Sequence, residues 1–508
     1  MVFERQSASV SAALTAIRPA VLARRVMRLL HLGDAFNWCA LWIDRLRPAV
    51  QLDGWSSPLV ARPGSTHAAN LLAGPVASHQ QASAAAGWQG DATCTSADGA
   101  PLLRCLLVTP RLDAGGVQEV VGFLARRLPS HSWQTAVICT SPHAMIDGQP
   151  TGVVAEALRS AGVQVLAADE RRALEWARQW RPDVISGHGA PPWAFALARR
   201  LDVPYVDTLH NRNGLGRDWR WHSAGVRSGN LACVVAVSDL LRGQQLAANP
   251  GFPPERVVTI PNGVDGERFA LRDRAAARDW LGITDQYLFV TLGRYCMSKN
   301  CYGLITAFGD LARSQPDAHL VLAGRVSEPR YYRRVRQLRD EMPCRDRIHL
   351  RDNIPAPEHL LAAADGFVLD SFFEGWPLAP MEALCAGLPV IMTEVSGADE
   401  QIGGEPARGY VVANPLGDPL KADWASSAAA QYRPQQNREE LAATMALLVK
   451  DRDEYLSNRA QLAAESVARF SSASWLARHD AVLRAAASGV SPLETQSLVR
   501  GRLAAAAE

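Results

Sequence analysis

The chain has 508 residues, of which 48% are apolar and 20% charged; this is a globular profile too long for one hydrophobic core, so two domains or more are expected. With 53 Lys and Arg against 51 Asp and Glu, the formal charge is only +2, which offers no basic face and excludes nucleic acid as a partner. Nine cysteines, an odd number with no Cys-x-x-Cys pair, read as reduced, mostly buried thiols of a cytosolic protein rather than a disulfide framework.

The opening residues lack the basic-then-apolar order of a signal peptide and no run of 18 apolar residues occurs, so a cytoplasmic protein is expected. Residues 1–50 are expected to form a helical extension, with Leu, Trp and Arg at helical spacing interrupted by Pro19 and Gly33. Such a basic amphipathic segment either packs as an arm on the main body or makes peripheral contact with the inner face of a membrane. From 51 to 100 the composition turns to Ala, Ser, Gly, His and Gln, as in "ASHQQASAAAGWQGDATCTSADGA", which reads as a flexible linker.

Short apolar strands then alternate with helical stretches. Over 101–268 the strands are "LLRCLLVTP", "TAVICT", "VQVLAA", "DVISGHG", "PYVDTLH", "ACVVAVS" and "RVVTIPNG"; over 269–455 they are "YLFVTLGR", "HLVLAG", "RIHLRD", "GFVLDS" and "PVIMTE". Helices such as "GGVQEVVGFLARRL", "YGLITAFGDLARSQP" and "APMEALCAG" lie between them. The pattern predicts an α/β chain of two Rossmann-like, doubly wound parallel-sheet domains, whose strand ends face a shared cleft.

Three stretches at strand ends carry chemistry. In "TPRLDAGGVQEVV", Gly115 and Gly116 stand between strand and helix, where bare N–H groups favour an anion or simply make a tight turn. The G-x-G-x-x-G fingerprint of nicotinamide and flavin enzymes is absent. "VTLGRYCMSKN" places Arg294 and Lys299 at the mouth of the second sheet, a planar fork and a point charge suited to a diphosphate, or two solvated charges. "GFVLDSFFEGWPLAPMEALCAG" reads as strand, loop and helix, with Glu374 in the loop and Glu382 two turns on, amid core-like residues where a glutamate needs a partner. The loop amides suit an anion and the glutamates suit hydroxyls, and a diphosphate between a ribose and a sugar supplies both.

The block from Glu374 to Glu382 resembles the E-x7-E motif of glycosyltransferase family 4, retaining enzymes of the GT-B fold. The similarity covers about residues 102–485, through Gly115–Gly116, "TLHN" with His210, "VAVS" ending in Ser238, "IPNGVD" with Asn262, and "LGRYCMSKN". The resemblance implies that Arg294 and Lys299 hold the donor diphosphate, that Glu374 contacts the donor sugar and that Glu382 binds the ribose. It further places the backbone of Gly375, Trp376, Pro377 and Leu378 near sugar and phosphates, Gly116 opposite them, and His210 beside the sugar. A helix within 456–486 is expected to cross back to the first domain, and 487–508 to form a loose tail.

The resemblance also implies retention of configuration and no metal or other cofactor. The sole Asp-x-Asp match, Asp451–Asp453, falls on a charged helix that reads as a solvated face. The expected function is transfer of a hexose-type unit from a nucleotide diphosphate sugar, most often a uridine one, to a glycan or lipid-linked acceptor in bacterial polysaccharide assembly. Loops such as "HGAPPW" and "HNRNGLGRDWRW" are candidates for acceptor contacts, and Arg325 marks a candidate region for the base. Two other classes stay open: an epimerase or hydrolase using the same nucleotide sugar, for which Asp113, His188 and His210 form no recognisable set, and a silent nucleotide-sugar-binding protein. In three places the sequence departs from the family pattern: Gln118 stands where a glutamate is frequent, Trp376 where Phe or Tyr is common, and the first hundred residues match nothing in the family core.

Overall fold

Runs of Val, Leu, Ile and Cys with few charges form strands buried on both faces, as parallel sheets require. In the first domain these are β1 (Leu103–Thr109), β2 (Trp133–Cys139), β3 (Gln164–Ala167), β4 (Val184–His188), β5 (Tyr205–Leu209), β6 (Leu231–Ala236) and β7 (Val257–Thr259). They form one parallel sheet in the order β3-β2-β1-β4-β5-β6-β7. The helices between them are α1 (Gly116–Arg127), α2 (Val153–Ser160), α3 (Glu170–Trp180), α4 (Pro192–Leu201) and α5 (Asp239–Ala248). The computed structural model describes residues 52, 54–55, 58–60, 102–113, 115–140, 145–146, 149–150, 152–211, 229–403, 406–419, 422–491, 494–495 and 497. The expected helical extension, with its membrane contact, most of the expected linker and tail, and the loop from 212 to 228 lie outside these residues.

The second domain repeats the plan. After α6 (Gly266–Phe269) and α7 (Arg274–Leu281) come β8 (Tyr287–Leu292), α8 (Cys301–Ser314), β9 (Ala318–Ala323), α9 (Pro329–Glu341), β10 (Ile348–Arg351), α10 (Pro357–Ala363), β11 (Gly366–Leu369), α11 (Leu378–Cys385), β12 (Val390–Thr393), α12 (Ala398–Ile402) and β13 (Gly409–Val412). The sheet runs β10-β9-β8-β11-β12-β13, all parallel. In both sheets the chain reverses direction beside its first strand, at β1/β4 and at β8/β11. A ligand crevice belongs at such a switch point.

The chain closes with α13 (Trp424–Ala430), α14 (Arg438–Lys450), α15 (Arg452–Arg469) and α16 (Ser472–Ala487). As the family resemblance implies, α16 returns to the first domain: Trp475, Leu476, Val482 and Leu483 complete its core, and the Trp133 indole donates to Asp480 at 2.7 Å. At the base of the second sheet, buried Asp365 takes ion pairs from Arg274, Arg278 and Arg452 at 2.6, 3.1 and 2.9 Å. Arg274, Arg278 and Arg459 also cap the last carbonyls of α10, the negative end of that helix.

Within the stretch read as linker, Gly54, Trp55 and Pro58–Val60 lie against the second domain. Trp55 stacks on Trp280 at 5.5 Å and donates to the Asp352 carbonyl at 3.1 Å, and Leu59 N–H donates to Leu281. The seven described cysteines are all buried. Among the described residues no helix is long and apolar enough to cross a membrane.

Candidate active site

At the end of β8 the chain makes a one-turn helix over Met297–Lys299 before entering α8. Asn300 takes the left-handed conformation at φ 48°, and its side chain caps α8 by accepting from Gly303 N–H. Its amide reaches Asp370, one residue past β11, at 2.8 Å, and Asn437 at the start of α14 meets the same carboxyl at 2.8 Å. Burial pushes the Asp370 carboxyl up to about 8, against the pull of the Asn437 and Asn300 amides. This buried polar set fixes the Lys299 turn relative to the loop after β11, and the Phe372 N–H bond to the Ser298 carbonyl at 3.0 Å adds a second tie.

On that frame the Lys299 ammonium meets Glu374 Oε1 at 2.6 Å, and the Ser371 hydroxyl donates to the same oxygen at 2.7 Å. Both charged side chains are largely shielded, at 19% and 15% exposed, so the pair is less screened than a surface salt bridge. Arg294 is exposed and makes no hydrogen bond or ion pair among the described residues. Its charge acts on Glu328, whose pKa burial raises and the Met297 N–H and Arg294 lower.

Trp376 is the member of the expected set whose side chain leaves the cleft. It is 6% exposed and its indole donates to the Met381 sulfur at 2.9 Å, so only its backbone is available to a ligand. Gly375 is required by space, since a Cβ there would fall 1.6 Å from the His210 carbonyl oxygen. The second domain's loop thus lies directly on the end of β5. Leu378 faces Gly116, where an added Cβ would stand 3.9 Å from its methyl carbon. Gly115 precedes α1 with the Gln118 side chain folded over it, 2.4 Å from a built Cβ.

Glu382 on α11 is half-buried and its carboxyl makes no hydrogen bond among the described residues. Lost hydration raises its carboxyl to about 7; Arg268 pulls it down, while Glu119 of the first domain and Glu358 push it up. Glu119, rather than Gln118, is therefore the acid of the glycine loop that acts across the cleft. Other links close the two domains: the Ser238 and Ser396 hydroxyls at 2.6 Å, Asp239 N–H on Glu400 at 2.8 Å, and Arg325 on Asp113 at 2.9 Å.

His188 and His210 come together, with Nδ1 of the first 2.9 Å from Nε2 of the second. Asp113 stands apart from them, paired with Arg325 and Arg111. Asp451 and Asp453 lie at the junction of α14 and α15. Sequence reasoning noted Glu119 beside Gln118 without giving it a role, and passed over Ser371 and the tie between His188 and His210. The last was within reach, because "DVISGH" and "YVDTLH" are neighbouring strands whose register sets His188 beside Thr208, two residues short of His210.

Residues 114–268 match the family described as Glycosyltransferase Family 4, and residues 273–425 match Glycosyl transferases group 1. The chain is 30% identical over 247 residues to the glycogen synthase of Mycobacterium tuberculosis, covering 44% of this chain and 55% of the relative. It thus spans about half the length of the curated relatives that it matches. Two crystal structures share the fold: a glycosyltransferase from Rickettsia africae, with TM-score 0.62 and 18% identity over 76% of this chain and 98% of that one, and Anabaena HepE in complex with UDP-glucose, with TM-score 0.58 and 15% identity over 79% and 100%.

Proposed function

Because this chain belongs to glycosyltransferase family 4, with the GT-B architecture, we propose that its cleft transfers a hexose-type unit from a nucleotide diphosphate sugar to a hydroxyl of a glycan or lipid-linked acceptor. The observation that carries this reading is the Lys299–Glu374 pair at 2.6 Å, beside exposed Arg294, at the switch point of the second sheet and against His210 of the first domain.

Each group has a part that follows from its chemistry. As the glycosyl bond breaks, negative charge gathers on the departing diphosphate; Arg294 and Lys299 supply positive charge there, lowering the barrier without a metal ion. Lys299 has three donors, so it can keep Glu374 while turning others to phosphate oxygens. Glu374 accepts from Lys299 and Ser371 on one oxygen, leaving the other for hydroxyls of the donor sugar. The Glu382 carboxyl, without a hydrogen bond among the described residues, fits the ribose hydroxyls. No carboxylate here takes the place of a covalent nucleophile, and the reading assigns transfer with retention to attack on the face that the diphosphate leaves.

A uridine donor is the first to try, since HepE, a protein of the same fold, was crystallised with UDP-glucose. Polysaccharide or glycolipid assembly is the setting that the relatives suggest. The epimerase or hydrolase reading loses ground, because Asp113 is held by Arg325 and Arg111.

The test is a panel of nucleotide sugars scored for release of nucleotide diphosphate, with and without a chelator, for the parent chain and the Lys299→Ala and Glu374→Ala variants. Release from one donor, untouched by chelator and reduced roughly 100-fold or more in Lys299→Ala, is expected. Saturable donor binding with no release in the presence of any glycan or lipid-linked acceptor favours a silent binder instead.

A further inference from the structure

Behind His210 lies a short chain of hydrogen bonds that the reaction proposed above does not use. Ser186 and His188 both belong to β4 and are 2% and 0% exposed. The Ser186 hydroxyl stands 3.1 Å from His188 Nε2, and His188 Nδ1 stands 2.9 Å from His210 Nε2. The two rings lie 5.2 Å apart, tilted by 32°. His210 Nδ1 makes no hydrogen bond among the described residues, and the His210 backbone is pressed against Gly375, next to Glu374.

Two arrangements of protons satisfy these contacts. In one, His210 Nε2–H donates to His188, His188 Nε2–H donates to Ser186, and the serine proton must find a further acceptor. Among the described residues Ser186 has no other hydrogen-bond partner, and a buried O–H without an acceptor is costly. In the other, Ser186 donates to His188 Nε2, His188 Nδ1–H donates to His210 Nε2, and the proton of His210 resides on Nδ1. The fully buried donors, Ser186 O–H and His188 Nδ1–H, are then both satisfied, and the one proton without a protein acceptor sits on the half-buried ring of His210. Burial also holds both rings neutral, with His210 lowered to about 4 and His188, close to His210 and His479, well below its usual value.

We infer that His188 is a positioning residue which, oriented by the Ser186 hydroxyl, fixes His210 as the Nδ1–H tautomer, so that the cleft meets its ligand with a hydrogen-bond donor. The ligand atom this selects is an acceptor oxygen of the bound nucleotide sugar. The division of labour is that of a general imidazole site, in which a buried neighbour sets the tautomer of the ring that touches substrate. The role at the sugar rests on the function proposed above; the tautomer does not.

Nitrogen NMR of the whole chain with labelled histidine reads the tautomer directly, with His210 assigned by its loss in His210→Gln. The free protein is expected to carry the His210 proton on Nδ1. Ser186→Ala and His188→Leu are expected to turn that signal into a mixture of tautomers and to lower kcat roughly 10- to 100-fold with the KM for the donor little changed. His188→Asn, whose amide can donate from the position of Nδ1, is expected to restore the signal and much of kcat. A proton on Nε2 in the parent chain, a tautomer unmoved in folded Ser186→Ala, or a kcat in His188→Asn as low as in His188→Leu overturns the inference. If no nucleotide sugar is turned over, the spectra of the free protein still decide the tautomer.

Discussion

Glu382 combines a half-buried position with like charges from two elements, and this makes its ionisation a property of the fold. Its carboxyl stands at about 7 in the folded chain against an ordinary 4.5. Between those values the folded protein holds a proton that the unfolded chain has released, so the contribution of this group to stability falls as pH rises through the window and stays unfavourable above it. Thermal melts of Glu382→Gln and the parent chain, run from pH 4.5 to 8, are expected to separate progressively in favour of the glutamine; parallel curves across that range contradict the assignment. At this scale the sequence was informative about charge and poor about direction. The E-x7-E spacing and the Arg294, Lys299 pair were read as a ligand set, and of these the structure joins Lys299 and Glu374 at 2.6 Å. Trp376 was read beside the sugar through its backbone, while the turn of its indole toward Met381 depends on core packing that no local pattern encodes. Glu119 and Gln118 differ by one residue, about 100° around a helix, and charge and direction together make Glu119 the one that acts on Glu382.

Among elements, the most constrained junction is the one at Asp365, where α7, α10, β11 and α15 meet through a single carboxylate. Removing the acid leaves Arg274, Arg278 and Arg452 with their carbonyl contacts and without their counter-ion in a largely buried place. Breaking a buried ion pair from one side costs about 3–5 kcal/mol, so Asp365→Ala is expected to unfold at clearly lower urea concentration than the parent chain. A midpoint within error of the parent would mean that the carbonyls alone neutralise the cluster. This clasp was not visible beforehand: Arg274 and Arg278 are four apart on one helix, the spacing of an ordinary solvated face, and only tertiary structure brings Arg452 to the same acid and Arg459 to the carbonyls beside it. The strands were legible for the opposite reason, since apolar runs such as Leu103–Thr109 and Tyr287–Leu292 are local and lie between helices of the right length. Their alternation predicted the two parallel sheets, while strand order and the switch points came only with the structure.

For the whole molecule, the attachment of Gly54, Trp55 and Pro58–Val60 shows what composition conceals. Averaged with its Ala, Ser and Gly neighbours, Trp55 disappears into a linker; in the structure it is 7% exposed, stacked on Trp280 and bonded to Asp352. Truncating a buried tryptophan costs about 3–5 kcal/mol. Trp55→Ala is therefore expected to lower the urea midpoint of the full chain, whereas truncating a surface anchor would change stability by no more than about 0.5 kcal/mol.

The return of α16 has a bearing on how the protein is made. Trp133 in the first domain finds its partner Asp480 347 residues later. Elongating at roughly 5–20 residues per second, a ribosome needs about 17–70 s to cover that distance. Once β7 has been made, and for the rest of that interval, the nascent first domain has its sheet but not Trp475, Leu476, Val482 or Leu483 to cover one apolar face. Its folding is finished from the far end of the message, and any chain released early carries that uncovered face as a ready target for chaperones and proteases.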